Sequence, residues 1–119
     1  MEFIWSKEDE AFRQELRKFI KDTLPPDWTG YEVDTEFSRS VERKLGERRW
    51  LTLAWPPQYG GLGASYWQQL IFKEEGGYHR LPGIFTLAVY TAGPGIMVFG
   101  NEEQKRRYLP GIAKGEIHF

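Results

Sequence analysis

Residues 49–65 read RWLTLAWPPQYGGLGAS. Two prolines and three glycines exclude a regular element through most of this stretch, yet it carries Trp50, Trp55 and Tyr59. A loop this apolar has to be packed down onto something, because its aromatic rings hold a large area to take out of water. It closes on Ser65 with Gln68 three residues further on, a pairing that opens helices by satisfying their first free N–H groups. The stretch therefore reads as a core-bound connector between helices.

The flanks agree with that reading. Upstream, Ser6 and Asp9 make a helix start, Glu8, Asp9 and Glu10 sit where the helix dipole favours acids, and Phe12, Leu16, Phe19 and Ile20 share one face. This helix ends before Pro25-Pro26, since the residue ahead of a proline is pushed out of the helical region. A second helix, capped by Asp34 or Thr35, places Phe37, Val41 and Leu45 on its apolar side, with Gly46 weakening its last turn. Downstream of Ser65, a third helix places Trp67, Leu70, Ile71 and Tyr78 on one side. Residues 84–99 are apolar nearly all round, with Gly93-Pro94-Gly95 expected to force a bend. Asn101 and Gln104 cap a last helix that carries Lys105, Arg106 and Arg107 outward, is broken or restarted at Pro110, and is closed by Gly115. The expected fold is all-α, an orthogonal or up-down helical bundle of about six helices over residues 1–115. Residues 116–119 read as the start of a β-strand that enters a further domain.

Composition narrows the function. At 119 residues the chain supports one domain and one core, burying roughly two-thirds of its unfolded surface. With 16 Lys plus Arg against 17 Asp plus Glu, a net charge of −1, it lacks the cationic footprint that nucleic acid requires. There is no cysteine, which excludes disulfides, thiolate metal sites and a cysteine nucleophile. The first nine residues carry three acids and no apolar core of a secretory signal, so a cytoplasmic location is expected. No membrane span is expected either, because residues 84–99 fall short of the ~20 apolar residues a spanning helix needs.

Several side-chain groupings invite a chemical reading. Gly60, Gly61 and Gly63 precede a helix start, a setting that can bind an anion through backbone N–H groups. No strand precedes them and no Lys-Ser/Thr follows, so a tight structural turn is the better reading. Glu74, Glu75 and His79 share a helix, but the Glu-x-x-His spacing of a di-iron bundle is missed and no second copy exists, so no metal site is expected. Neither His79 nor His118 has a serine or cysteine arrangement that would make it a catalytic base. Lys105, Arg106 and Arg107 follow Glu102 and Glu103 directly, which reads as a solvated face. Residues 84–99 read either as a central core helix or as one wall of an apolar ligand pocket, and the pattern alone leaves both open.

The same residues carry a family signal. The run RWLTLAWPPQYGGLGAS resembles the N-terminal signature of acyl-CoA dehydrogenases, and residues 92–116, AGPGIMVFGNEEQKRRYLPGIAKGE, resemble a second block of that family in the same order. The resemblance covers essentially the whole chain. It implies the helical N-terminal domain of an FAD-dependent enzyme that oxidises the Cα–Cβ bond of an acyl-CoA thioester in fatty-acid or sterol side-chain β-oxidation. It also implies that the base removing the α-proton and most contacts to the flavin, whose N5 accepts the β-hydride, lie in other domains. No catalytic and no cofactor-binding residue is then expected in this segment, and Glu74 and Glu75 are not the base. Leu87, Ala88, Thr91 and Gly95 match the part that lines the acyl cavity, and Gly93-Pro94-Gly95 is expected to widen it for a bulky acyl group. Implied partners are the acyl-CoA substrate, an electron-transfer flavoprotein or similar acceptor, and further subunits in a homo- or hetero-oligomer. The alternative is a non-catalytic helical interaction module that pairs with a flavin-bearing partner.

Overall fold

The computed structural model describes residues 4–32 and 34–118. Five α-helices account for most of them: α1 (Lys7–Thr23), α2 (Thr35–Glu47), α3 (Tyr66–Tyr78), α4 (Gly93–Phe99) and α5 (Glu102–Ala113). A 3₁₀ turn (Pro57–Tyr59) and a π-helical turn (Ala88–Ala92) complete the regular structure. Among the described residues there is no strand, and residues 116–118 run without regular structure. Phe119, the last residue of the expected strand, lies outside the described residues.

Every expected N-cap forms. The Ser6, Asp34, Ser65 and Asn101 side chains accept from the backbone N–H three residues on, and at Asn101 the Gln104 side chain returns the bond at 2.9 Å. These bonds satisfy donors that the first helical turn leaves over. At their C-termini α2 and α3 close on arginines with positive φ, Arg49 at 62° and Arg80 at 53°. Trp50 N–H reaches Leu45 C=O at 2.9 Å and Leu81 N–H reaches Gly76 C=O at 2.8 Å, the six-to-one bond that normally accompanies glycine.

The core is built around the connector. Trp50, Leu51, Leu53 and Trp55 are buried together with Leu16 and Ile20 of α1, Val41 and Leu45 of α2, Ile71 and Phe72 of α3, and Leu109 and Ile112 of α5. Phe12 and Phe19 meet Trp50 edge-on, each at 5.6 Å. Gly46 lets α2 approach the end of α5, because a Cβ there would run into the backbone of Ala113 and Lys114. The molecule is a slab of 43 × 40 × 20 Å.

Three expectations are corrected. Trp67, Leu70 and Tyr78 are exposed, and α3 instead buries Ile71, Phe72, Glu75 and Gly76. Glu75 goes inward because two arginines of α1 meet it: Arg13 Nη1 at 2.6 Å and Arg17 Nη2 at 2.8 Å. Pro110 does not break α5, which runs through it to Ala113. Nor does Gly93-Pro94-Gly95 bend the chain out of helix. Ala92 and Gly93 keep right-handed helical angles, and the helix widens into the π turn just ahead of Pro94. Wider spacing relieves the clash that a proline ring makes with the carbonyl four residues back.

Candidate functional site: an apolar wall over residues 85–99

The π turn and α4 present one face to the core and the other to solvent. Ile84, Ala88, Val89 and Gly93 are buried, whereas Phe85, Leu87, Val98 and Phe99 are 76, 66, 72 and 89% exposed. Large apolar side chains left exposed along one stretch of chain in this way mark a candidate binding or packing face. Between this wall and α5 lies an open groove of about 580 Å³ lined by Thr91, Gly95, Ile96, Phe99, Gln104 and Tyr108.

The expected site residues fall unevenly on it. Thr91 and Gly95 line the groove together, and at Gly95 a Cβ would find nothing within 4 Å. Leu87 is exposed on the preceding stretch and does not line the groove, and Ala88 is turned into the core. Of the glycines expected to widen a cavity, Gly93 is occupied from behind, because a Cβ there would strike the Trp55 ring. Only Gly95 leaves open space on the groove side.

Polar groups on the wall are few. Tyr90 packs beside Phe85 at 6.3 Å and under the Lys73 ammonium at 5.4 Å, and burial pushes its phenol pKa up. It therefore stays a neutral hydroxyl through the physiological range. Behind the wall, the Trp55 indole Nε1–H donates to the Val89 carbonyl at 3.2 Å in a buried bond.

Other groupings are structural. Backbone N–H groups from Gly60 to Ala64 are all spent on carbonyls of the same connector, including Gly63 to Trp55 at 2.8 Å and Ala64 to Leu53 at 2.9 Å, so they form no anion cradle. Burial pushes the Glu75 carboxyl up, but hydrogen bonds and charge from Arg17 and Arg13 outweigh it and hold the group below the ordinary carboxylate range. A carboxylate so held is a brace between α1 and α3 and a poor base. His79 is exposed and stacked edge-on against Tyr78 at 4.9 Å. His118 Nδ1 meets Glu42 Oε2 at 3.2 Å, and among the described residues no group of three or more His, Asp or Glu side chains is placed to hold a metal. Lys105 pairs with Glu102 at 3.6 Å and Arg107 lies over Tyr108. A second concavity, about 710 Å³ between α2 and α5, has a mixed rim with Arg43, Arg49 and Lys114 beside Glu47 and Glu116, and holds none of the expected site residues.

The described residues define the class as an all-helical domain with an exposed apolar wall over residues 85–99. A family model described as acyl-CoA dehydrogenase, N-terminal domain, matches residues 6–116. The chain belongs to the acyl-CoA dehydrogenase family and corresponds to the N-terminal domain of its full-length members. It is 34% identical to acyl-CoA dehydrogenase FadE26 of Mycobacterium tuberculosis, over 100% of this chain and 31% of that protein. Its structure superposes on the ChsE4-ChsE5 complex of Mycobacterium tuberculosis with a TM-score of 0.86 at 35% identity, covering 100% of this chain and 31% of the other. The Tcur3481-Tcur3483 steroid ACAD gives a TM-score of 0.84 at 37% identity, over 100% of this chain and 32% of the other. The chain thus spans about a third of the length of these relatives. Among the described residues no helix is long and apolar enough to cross a membrane.

Proposed function

We propose that this chain is the N-terminal domain of an FAD-dependent acyl-CoA dehydrogenase, and that its wall over residues 85–99 forms part of the pocket for the acyl chain. The observation that carries the reading is the exposure of Phe85, Leu87, Val98 and Phe99 beside a groove with open space at Gly95. Such a surface has the chemistry to desolvate a hydrocarbon chain, at about 0.8 kcal/mol for each buried methylene. In this proposal Leu87, Thr91 and Gly95 touch the acyl group, and Ala88 supports them from the core side. The described residues do not fit a flavin site, since the one glycine-rich loop has its amides occupied. In this proposal the flavin and the catalytic base belong to other domains of the full-length enzyme, and no chemical step is assigned to this segment.

A bulky, ring-bearing acyl group is the proposed substrate class, supported by the unfilled space at Gly95 and by the likeness to a steroid ACAD. Likeness to two-protein complexes supports a hetero-oligomer. An electron-transfer flavoprotein as acceptor and a cytoplasmic setting are part of the same proposal. Full-length protein assayed with straight-chain and ring-bearing acyl-CoA thioesters tests it: the ring-bearing substrate should give the higher kcat/KM. Preference for short straight chains would remove the substrate class, and no turnover of any thioester would remove the activity. The second reading, a non-catalytic module serving a flavin-bearing partner, is favoured by the same exposed wall. It predicts flavin absorbance only on co-expression with that partner.

A further inference from the structure

The register of the wall depends on a residue that does not touch it. In a regular α-helix the Val89 carbonyl would accept from Gly93 N–H. Here Gly93 N–H goes one residue further back, to Ala88 C=O, because the turn is π-helical. The donor that π spacing would then offer Val89 is residue 94, and Pro94 has no N–H. Val89 is buried, and a buried carbonyl without a donor is costly. Trp55 fills the vacancy with its indole N–H at 3.2 Å, from the connector between α2 and α3. The fit is reciprocal, since only glycine at position 93 leaves room for the Trp55 ring.

A π turn inserts one residue into the helix, and one residue is about 100° of rotation. That extra residue determines which side chains downstream of the turn face the groove. With it, Gly93 points at Trp55 while Gly95, Ile96 and Phe99 fall in the groove with Thr91. Without it, Gly95 and Phe99 would rotate out of line with Thr91.

We propose that Trp55 is a positioning residue for the acyl-facing groove: by capping Val89 it locks the π turn, and the locked turn sets the groove's shape and hence which acyl groups fit. The acyl part of this inference rests on the function proposed above, whereas the lock itself does not. Full-length protein carrying Trp55→Phe, Pro94→Ala, or both separates the two. Trp55→Phe keeps an aromatic ring but removes the donor and part of the indole's buried volume; it should lower Tm by about 4 °C. Pro94→Ala in that background supplies a backbone N–H in place of the indole and should recover the part of the loss that comes from the unpaired Val89 carbonyl, so the two substitutions are non-additive. Additive effects on Tm overturn the lock whether or not the enzyme is active. In the specificity assay, Trp55→Phe should change the kcat/KM ratio between ring-bearing and straight-chain thioesters about tenfold, through KM with kcat nearly kept. A lowered Tm with that ratio unchanged within twofold makes Trp55 merely structural and overturns its positioning role. A wild-type enzyme that oxidises no thioester defeats the functional reading and the acyl half of this one, leaving the Tm cycle to decide the lock.

Discussion

Gly95 sits in the middle of a helix with nothing near it, an arrangement that costs stability and leaves space. Alanine there meets no atom within 4 Å and removes the flexibility glycine brings to a helix, so Gly95→Ala should stabilise by about 0.5–1 kcal/mol in urea unfolding. Gly95→Leu reaches into the groove, and in the full-length enzyme it should lower kcat/KM for ring-bearing thioesters at least tenfold while sparing short chains. Equal losses on both substrates would place position 95 away from the acyl group. Arg49 presents a related case, because its φ of 62° is a conformation that costs an L residue roughly 1 kcal/mol. Arg49→Gly should gain most of that. Arg80, with a φ of 53°, should not, since its guanidinium donates to Thr29 C=O at 2.6 Å and lies 4.3 Å from the Tyr31 ring. At Glu75 the carboxyl pKa is held down in the folded state, so its contribution is full above the ordinary carboxylate pKa of about 4.3 and is lost as pH falls below it. Glu75→Gln should cost about 2 kcal/mol at neutral pH, because it leaves the buried Arg13 guanidinium only the more exposed Glu74 carboxylate at 3.1 Å as charge partner. The variant's stability should also fall less steeply on acidification than the wild type's, as measured by urea titrations at stepped pH.

Four of the five α-helices, α1, α2, α3 and α5, begin on a side chain whose partner lies three residues ahead, and such short-range chemistry is legible in a sequence. Asn101 is the fullest example, with bonds of 2.8 and 2.9 Å running both ways to Gln104. Asn101→Ala should therefore cost about 1 kcal/mol, read as a lower urea midpoint with an unchanged slope. The elements that departed from expectation did so through contacts that no local pattern records. The face of α3 was misread because Glu75 is drawn inward by arginines from a different helix, while Trp67 and Tyr78 are left outside. Proline within glycines reads as a bend, and the π turn that absorbs Pro94 instead depends on an indole from the connector. Helix ends at Arg49 and Arg80 carry no glycine to signal them. On the wall, Thr91 and Gly95 were reached through the family resemblance, whereas the part played by Trp55 was not. Its N–H and Val89 are distant in sequence, and they meet only once the connector is folded onto the core.

At the scale of the whole molecule, the exposed wall and the low net charge act in the same direction. Phe85, Leu87, Val98 and Phe99 form an apolar surface that a full-length enzyme is proposed to cover, and a net charge of −1 supplies little repulsion between copies. The 119-residue segment on its own should therefore self-associate and bind a hydrophobic dye, with scattering that rises with salt as the residual electrostatics are screened. Replacing Phe85 and Phe99 by serine is the sharper arm, because both side chains are mostly in water and contribute little to the core. The double variant should keep its urea midpoint and lose both dye binding and association. If association persists with the wall made polar, the contact lies elsewhere, and the mixed-charge concavity between α2 and α5 is the next surface to alter. A well-behaved monomer that binds no dye would show that the wall folds over itself in solution, and would remove the main physical reason for assigning it to an acyl pocket.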